Sequence, residues 1–143
     1  MAHRMSPEET TAFLMEGTRT GKLATTTADG QTHVVPIWFV VDDDGSLVFT
    51  CDGSSLKAKA LNRDPRAAIC VDDQAPPYSF VEVRGPVSVS SDLDDLRHWA
   101  TRIGGRYMGA DRAAEFGERN VVEGELLVRL HAAKVVALGA ISD

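Results

Sequence analysis

The sequence predicts a mainly β chain of the α+β class, in which antiparallel strands form a barrel or sandwich decorated by helices. Short apolar segments rich in β-branched residues recur along the chain, and hairpin-type turns separate the early ones. Helical patterns occur only between some of these segments, whereas a doubly wound parallel sheet needs helices alternating with strands throughout. We expect the 143 residues to form one domain, residues 1–143.

Each element is predicted from its local pattern. Residues 6–9 (SPEE) are typical of a helix start, and Gly17 ends that helix. Apolar residues at spacings of three and four predict a longer helix after Asp92, reaching as far as Tyr107. In chain order we predict helices at about 7–16, 55–62, 92–107 and 110–119, and strands at 21–27, 32–41, 46–50, 66–71, 79–90 and 125–138.

Some boundaries stay open at this stage. Pro36 removes a donor from the second strand, which indicates an edge position, a bulge or a backbone that faces a ligand. Gly85-Pro86 predicts a bulge. Residues 125–138 form either a strand pair or one long bent strand, and residues 1–5 are interpreted as a leader or vector-derived segment.

Composition excludes several functions. The net charge of −6 disfavours nucleic-acid binding, since basic residues group only around residues 57–66. No apolar segment reaches the roughly 20 residues of a membrane span, and no signal-peptide pattern is present, so we expect a cytoplasmic protein. The histidines have no metal-ligand spacing, so no metal is expected. Cys51 and Cys70 are interpreted as free thiols.

The most informative stretch is residues 47–71, LVFTCDGSSLKAKALNRDPRAAICV. An apolar strand ends in a turn with Ser54 and Ser55, and a short basic helix with Lys57 and Lys59 follows. The first N–H groups of a helix lack partners and its dipole favours negative charge, so this junction suits a phosphate. An ordinary serine cap with solvated lysines is an equally good interpretation of the motif alone.

Residues 32–39 suggest a second part of a site. A flat aromatic ligand would lie along this strand, where Pro36 leaves backbone groups free, with Trp38 beside it. The alternative is a core tryptophan on an edge strand. No nucleophile-and-base motif is present, so in an enzyme a cofactor would carry the chemistry.

Residues 21–73, together with SFVEVRGPVSVSSD at residues 79–92, carry a family resemblance. The chain resembles the split-barrel flavin-binding superfamily that includes pyridoxamine 5′-phosphate oxidase, and within it the actinobacterial branch that uses the deazaflavin coenzyme F420. The resemblance implies an antiparallel split β-barrel and a homodimer with two cofactor sites at the subunit interface. Vitamin B6 oxidation is not expected, because the chain lacks the family's extra C-terminal segment and shows no second phosphate site.

The resemblance also implies site residues. The ring would lie against Val35, Pro36, Ile37 and Trp38; the phosphate would meet Thr50, Ser54, Ser55 and Lys57; Lys59 or Arg63 would meet the acidic tail; and the segment around Tyr78 and Phe80 of a second subunit would cover the ring.

The function implied is hydride transfer between F420 and an electron-poor small molecule such as an enone, quinone or tetrapyrrole. FMN is the alternative cofactor, and a carrier without efficient turnover is the alternative role. A haem-binding split barrel, with His33 or His131 as ligand, is a third hypothesis. No residue is assigned as catalytic, although Tyr78, Arg84 and His33 are considered.

Overall fold

The computed structural model describes all residues, 1–143. Nine strands and four α-helices follow one another along the chain, with a short 3₁₀ helix at Ala110–Arg112. The elements are β1 (His3–Arg4), α1 (Pro7–Met15), β2 (Gly21–Thr26), β3 (Thr32–Ile37), β4 (Val40–Val41), β5 (Leu47–Asp52), α2 (Leu56–Arg63), β6 (Arg66–Asp73), β7 (Ser79–Ser90), α3 (Leu93–Met108), α4 (Ala113–Arg119), β8 (Glu125–Leu130) and β9 (Lys134–Gly139).

The strands pair antiparallel throughout. The order is β3-β2-β6-β7-β8-β5-β4, while β9 pairs with β7 and with β1. Because β7 is twelve residues long, its first part pairs with β6 and β9 and its last four residues pair with β8. The sheet therefore curls around one core as a half-barrel, which confirms the predicted α+β class and architecture.

The bend of β7 corrects one expectation. The β6–β7 register runs without interruption from Asp73↔Ser79 to Arg66↔Pro86, so Gly85-Pro86 is not a bulge. A Cβ at Gly85 would collide with the carbonyl oxygen of His131. The glycine is needed because the backbones approach closely where β7 passes from one partner strand to the next.

The predicted strand 32–41 is divided into β3 and β4, and side chains of α3 explain the division. The N–H of Phe39 donates to the Tyr107 hydroxyl at 3.2 Å, and the carbonyl of Phe39 accepts from Arg106 at 2.7 Å. Backbone groups that bond to side chains in this way are lost to a strand ladder. Position 36 lies in β3, which is an edge strand of the chain, as one of the alternatives for Pro36 predicted.

Both chain ends also differ from expectation in detail. Residues 3 and 4 form β1, paired with Leu138 and Gly139, although no element was predicted for residues 1–5. Residues 125–138 hold two strands, β8 and β9, that do not pair with each other. Each instead pairs with part of β7.

The helix ends follow the sequence signals. Ser6 and Glu9 form a reciprocal capping box at the start of α1, with Pro7 in its first turn. The side chains of Ser55 and Asp92 cap α2 and α3. Trp99 and Ile103 of α3 pack with Val48 and Leu127 in a small apolar cluster outside the main core.

The main core holds 19 buried residues from both parts of the curled sheet, α1 and α2, among them Phe39, Phe49 and Leu61. Ala58 and Leu61 tie α2 into this core, so the start of α2 has a fixed position at the end of β5.

None of the helices combines the length and apolar character that crossing a membrane requires.

Candidate functional site

The start of α2 is a tightly bonded turn. The Asp52 carboxylate accepts from the backbone N–H of Ser54 at 2.8 Å and from its hydroxyl at 2.7 Å. The Ser55 hydroxyl donates to the carbonyl of Asp52 at 2.6 Å and accepts from the N–H of Ala58 at 3.2 Å. Both serine hydroxyls therefore already have structural partners, as the capping interpretation of this motif stated.

Three donors remain free at the same place. The N–H groups of Leu56 and Lys57 have no acceptor; the first bonded N–H groups of the helix are that of Ala58, which donates to the Ser55 hydroxyl, and that of Lys59, which donates to the Ser55 carbonyl. The ammonium group of Lys57, on a half-buried residue, has no salt bridge and no hydrogen bond. A helix N-terminus with two free N–H groups and an unpaired cation matches an oxyanion in charge and in hydrogen bonding.

Acids limit how much negative charge this turn accepts. Hydrogen bonds from Ser54 lower the pKa of Asp52, which stays ionised. Glu125 lies across from Asp52 in the β5–β8 ladder, and desolvation, followed by the Asp52 charge, raises its pKa. The Lys57 charge favours both ionised carboxylates, so it adds to the lowering of the Asp52 pKa and opposes the rise of the Glu125 pKa. An anion at this turn therefore depends strongly on Lys57.

A glycine lets the turn close. The N–H of Gly53 donates to the carbonyl of Gly124 at 2.8 Å, and a Cβ at Gly53 would lie 2.6 Å from that oxygen. The loop before β8 thus holds the end of β5 in place from the opposite side.

The other predicted phosphate and tail contacts are spread around α2. Thr50 is half-buried and pairs with Leu127, on the side of β5 that faces α3. Lys59 is exposed, and its ammonium group has no polar partner. Arg63 donates to the carbonyls of Thr26 and Thr27 at 2.7 and 2.8 Å, which fastens the end of α2 to the β2–β3 turn.

Strand β3 presents two different faces. Val35 and Ile37 pair with Leu23 and Gly21, and Ile37 is buried in the main core. Val34 and Pro36 point to the other face and are exposed. A ligand along β3 would therefore contact the side chain of Pro36 but only the backbone of Ile37.

Trp38 continues the exposed face into an aromatic cluster. Its ring stacks on Tyr107 with a centroid distance of 5.0 Å and an interplanar angle of 4°, and it contacts Phe116 at 6.0 Å. With 39 % of its surface exposed, Trp38 is a fixed flat wall rather than a core residue. The sequence indicated Trp38, but it gave no signal that Tyr107 of α3 would support it.

Tyr78 lies in the turn between β6 and β7, has a φ of 56° and is 44 % exposed. Strands β2 and β6 separate β7 from β3. At about 4.8 Å per strand, this places the Tyr78 segment roughly 14 Å from β3. A single chain therefore does not bring Tyr78 to the other predicted residues.

His33 has a feature that the sequence did not indicate. Its Nδ1 atom is buried without a partner, and so is the hydroxyl of Thr25, its neighbour in the β2–β3 ladder. Arg84 pairs with Glu82 at 3.1 Å, and Nε2 of His131 lies 3.0 Å from the Ser88 hydroxyl. No group of three or more His, Cys, Asp or Glu side chains is arranged to hold a metal.

Comparison with known proteins shows which family the chain belongs to. Residues 6–137 match the family model described as pyridoxamine 5′-phosphate oxidase, and the chain belongs to this family. No curated protein matches the chain.

Three solved structures show the range of the fold. The conserved hypothetical protein Rv2991 from Mycobacterium tuberculosis is 26 % identical, with a TM-score of 0.84 over 96 % of this chain and 87 % of that one. A structure described as an F420 reductase is 25 % identical, with a TM-score of 0.67 over 87 % of this chain and 94 % of that one. A FAD-binding protein from Mesorhizobium loti is 20 % identical, with a TM-score of 0.70 over 96 % of each chain, and shows the fold alone.

Proposed function

We propose that this protein is an F420-dependent oxidoreductase that transfers hydride between the deazaflavin and an electron-poor small molecule of the enone, quinone or tetrapyrrole type. The observation that carries the proposal is the start of α2, where Lys57 and two backbone N–H groups are free. The similarity to an F420 reductase supports the choice of cofactor. FMN is the alternative, because its phosphate suits the same donors.

In this proposal the phosphate lies against the N–H groups of Leu56 and Lys57 and the Lys57 ammonium. Ser55 keeps its capping bonds and so fixes the direction of those N–H groups. The hydroxyl of Ser54 would have to leave Asp52 to join them. The unpaired Lys59 meets the acidic tail, with any contribution from Arg63 limited by its two carbonyl bonds.

The ring lies along the exposed side of β3, between Pro36 and the wall formed by Trp38. The edge of β3 offers backbone groups without a neighbouring strand, and these suit the polar edge of a flat heterocycle. Val35 and Ile37 belong to the same proposed surface through their backbones, and Thr50 of β5 remains a proposed phosphate contact.

The site is proposed to need a second copy of the chain. Tyr78 is remote from β3 within one protomer, as the strand order shows. In a homodimer the same segment of the other copy would cover the ring and help to exclude water.

When bound, the deazaflavin supplies the hydride. The chain's own residues then have three tasks, which are to hold the anionic end at α2, to orient the ring on β3 and to keep the acceptor over it. No side chain on this surface is assigned as proton donor.

The test is a titration of the purified protein with F420 and FMN at fixed ionic strength. Lys57→Ala should weaken binding of both cofactors by about ten- to one-hundred-fold, the usual effect of losing a charge-assisted contact. Lys59→Ala removes the same charge two residues away and should weaken only F420, because FMN has no oligoglutamate tail. Equal effects of the two variants on both cofactors would contradict the assignment.

Turnover separates the enzyme from a carrier. Reduced F420 should be oxidised faster in the presence of protein and a quinone or enone acceptor than with the acceptor alone. Tight F420 binding without such acceleration across a broad acceptor panel would favour the carrier role. Preference for FMN over F420 would overturn the cofactor assignment.

A further inference from the structure

A cavity separate from the proposed cofactor site lies at the opposite end of β5 from α2. It has a volume of about 670 Å³ and is bounded by α1, the β4–β5 turn and strand β9. Ligand pockets in proteins typically measure about 300–1,000 Å³, so this cavity is large enough for a small molecule. It shares no lining residue with the proposed cofactor site.

The interior of this cavity is apolar. Leu14 of α1, Leu47 of β5 and Val83 of β7 form its floor, and all three are buried. Val135, on β9, is 46 % exposed. A water-filled space against these side chains is unfavourable, whereas an aliphatic chain would gain by filling it.

The charged residues of the lining are all positive. They are Arg4 and Lys134, both exposed and neither with a salt bridge or a side-chain hydrogen bond, and no Asp or Glu lines the cavity. Glu82, the acid on the neighbouring strand, is already paired with Arg84. Two free cations beside an apolar floor stand out in a chain of net charge −6.

The two cations flank the opening. Arg4 pairs with Leu138, and Lys134 lies four residues before Leu138 on β9, so the two Cα atoms are about 14 Å apart. Between them the edge of β9 is open only before Ala137, because β1 pairs with Leu138 and Gly139 and the N–H of Met5 donates to the carbonyl of Ala137 at 2.9 Å. An anionic group at the Lys134 end of the opening would meet a cation as well as unpaired backbone groups of β9, whereas one at the Arg4 end would meet the cation alone.

We propose that this cavity binds a free aliphatic carboxylate, with its chain on the apolar floor and its carboxylate at Arg4 or Lys134. A neutral hydrocarbon would leave the cations unused, and a compact polar anion would leave the apolar floor uncovered. This site is independent of the proposed cofactor site.

The experiment is calorimetric titration with hexanoate, octanoate and decanoate below their micelle concentrations, with 1-decanol as the uncharged control. Each added methylene should tighten binding, at most about four-fold. The alcohol should bind more weakly than decanoate. Equal binding of decanol and decanoate, or no dependence on chain length, would overturn the proposal.

Variants locate the site. Of Arg4→Gln and Lys134→Gln, the variant at the end that holds the carboxylate should weaken decanoate binding by about two- to five-fold, as expected for an exposed cation, and the other should change it little, because salt screens charges about 14 Å apart. Thr11→Trp, at an exposed helical position of the lining, should block the cavity. Its unfolding transition checks that the fold is retained, and the two glutamine variants give an answer even if it is not.

Two further results would contradict the proposal. Binding that occurs only to phosphatidylglycerol vesicles, and not to monomeric decanoate, would make the cations a membrane-contacting patch. Loss of decanoate binding in Lys57→Ala, or competition with F420, would place the ligand at the cofactor site instead. Lys59→Gln, a matched loss of one unpaired lysine elsewhere, should leave decanoate binding unchanged.

Discussion

Arg106 and Lys57 are two half-buried cations with opposite surroundings. The Arg106 guanidinium donates to the carbonyls of Leu14 and Phe39 at 2.7 Å each and to that of Gly17 at 3.0 Å. It also lies 4.7 Å from the centroid of the Phe39 ring. The Lys57 ammonium forms no hydrogen bond and no salt bridge, although its charge favours the ionised forms of Asp52 and Glu125.

The difference separates a structural cation from a cation available to a ligand. Arg106 joins the end of α1 to the break between β3 and β4, and burial lowers its pKa. Every contact it makes is internal, so its loss should damage the fold. Substitution of Lys57 should change the free energy of unfolding little, so its effect should appear in ligand binding.

The largest effect is expected for Arg106→Met. The variant keeps an apolar stem but leaves three carbonyls without their donor, and we expect the free energy of unfolding to fall by about 3 to 4 kcal/mol. Urea denaturation measures this change. Arg102→Met is the matched control, because Arg102 lies over Trp99 on the same helix but is exposed. A loss no larger than the control's would show that Arg106 is not a structural cation.

Features whose partners lie close together in the sequence could be predicted, as the helix starts show. The capping residues Ser6, Ser55 and Asp92 are local signals, so the helix starts were placed correctly. Turn residues and β-branched segments likewise located most strands. The curled antiparallel sheet followed from the absence of helices between the early strands.

Features that depend on distant residues could not be read in this way. The break at Phe39 is made by Arg106 and Tyr107, 67 and 68 positions away. The bend of β7 at Gly85 depends on the backbone of His131, and β1 depends on β9. In the candidate site, the junction at the start of α2 could be predicted because its residues are neighbours in the sequence. The Trp38–Tyr107 stack could not, because the two residues are far apart in the chain.

A pH-dependent effect of intermediate size is expected from Cys51, which lies in the main core near Lys57. Burial is the main cause that raises its pKa from 9.0 to about 11, while the Lys57 charge opposes the rise. The folded chain keeps this thiol protonated, whereas the unfolded chain ionises it above its ordinary pKa. The stabilisation is therefore fully present below pH 9 and is lost as the pH rises toward 11.

The loss should amount to at most about 2 to 3 kcal/mol between those limits, from 1.36 kcal/mol per unit of pKa difference. Denaturation across this pH range should show a steeper fall for the wild-type chain than for Cys51→Ala. Parallel pH profiles would mean that Cys51 does not contribute.

Tyr107→Phe should have a smaller effect. The hydroxyl accepts from the N–H of Phe39 and donates to the carbonyl of Arg19 at 2.8 Å, so both lose a partner in the variant. We expect the free energy of unfolding to fall by about 1 to 2 kcal/mol. The phenyl ring can keep the stack with Trp38, so tryptophan fluorescence should change little. A large fluorescence change would show that the hydroxyl bonds also orient the aromatic wall.

The smallest change in stability is expected for Lys57→Ala. This variant tests most directly whether Lys57, unlike Arg106, is available to a ligand. The ammonium forms no ion pair to be lost, and Ala favours a helix at least as well as Lys, so the free energy of unfolding should stay within about 0.5 kcal/mol of wild type. The nearby acids, Asp52 and Glu125, lose a compensating positive charge in the variant. Any small change in the free energy of unfolding at neutral pH should therefore be a decrease. Chemical denaturation of the ligand-free protein measures this change. A loss comparable to that of Arg106→Met would make Lys57 a structural cation too, and the weakened cofactor binding of the variant could then no longer be assigned to a contact with the phosphate.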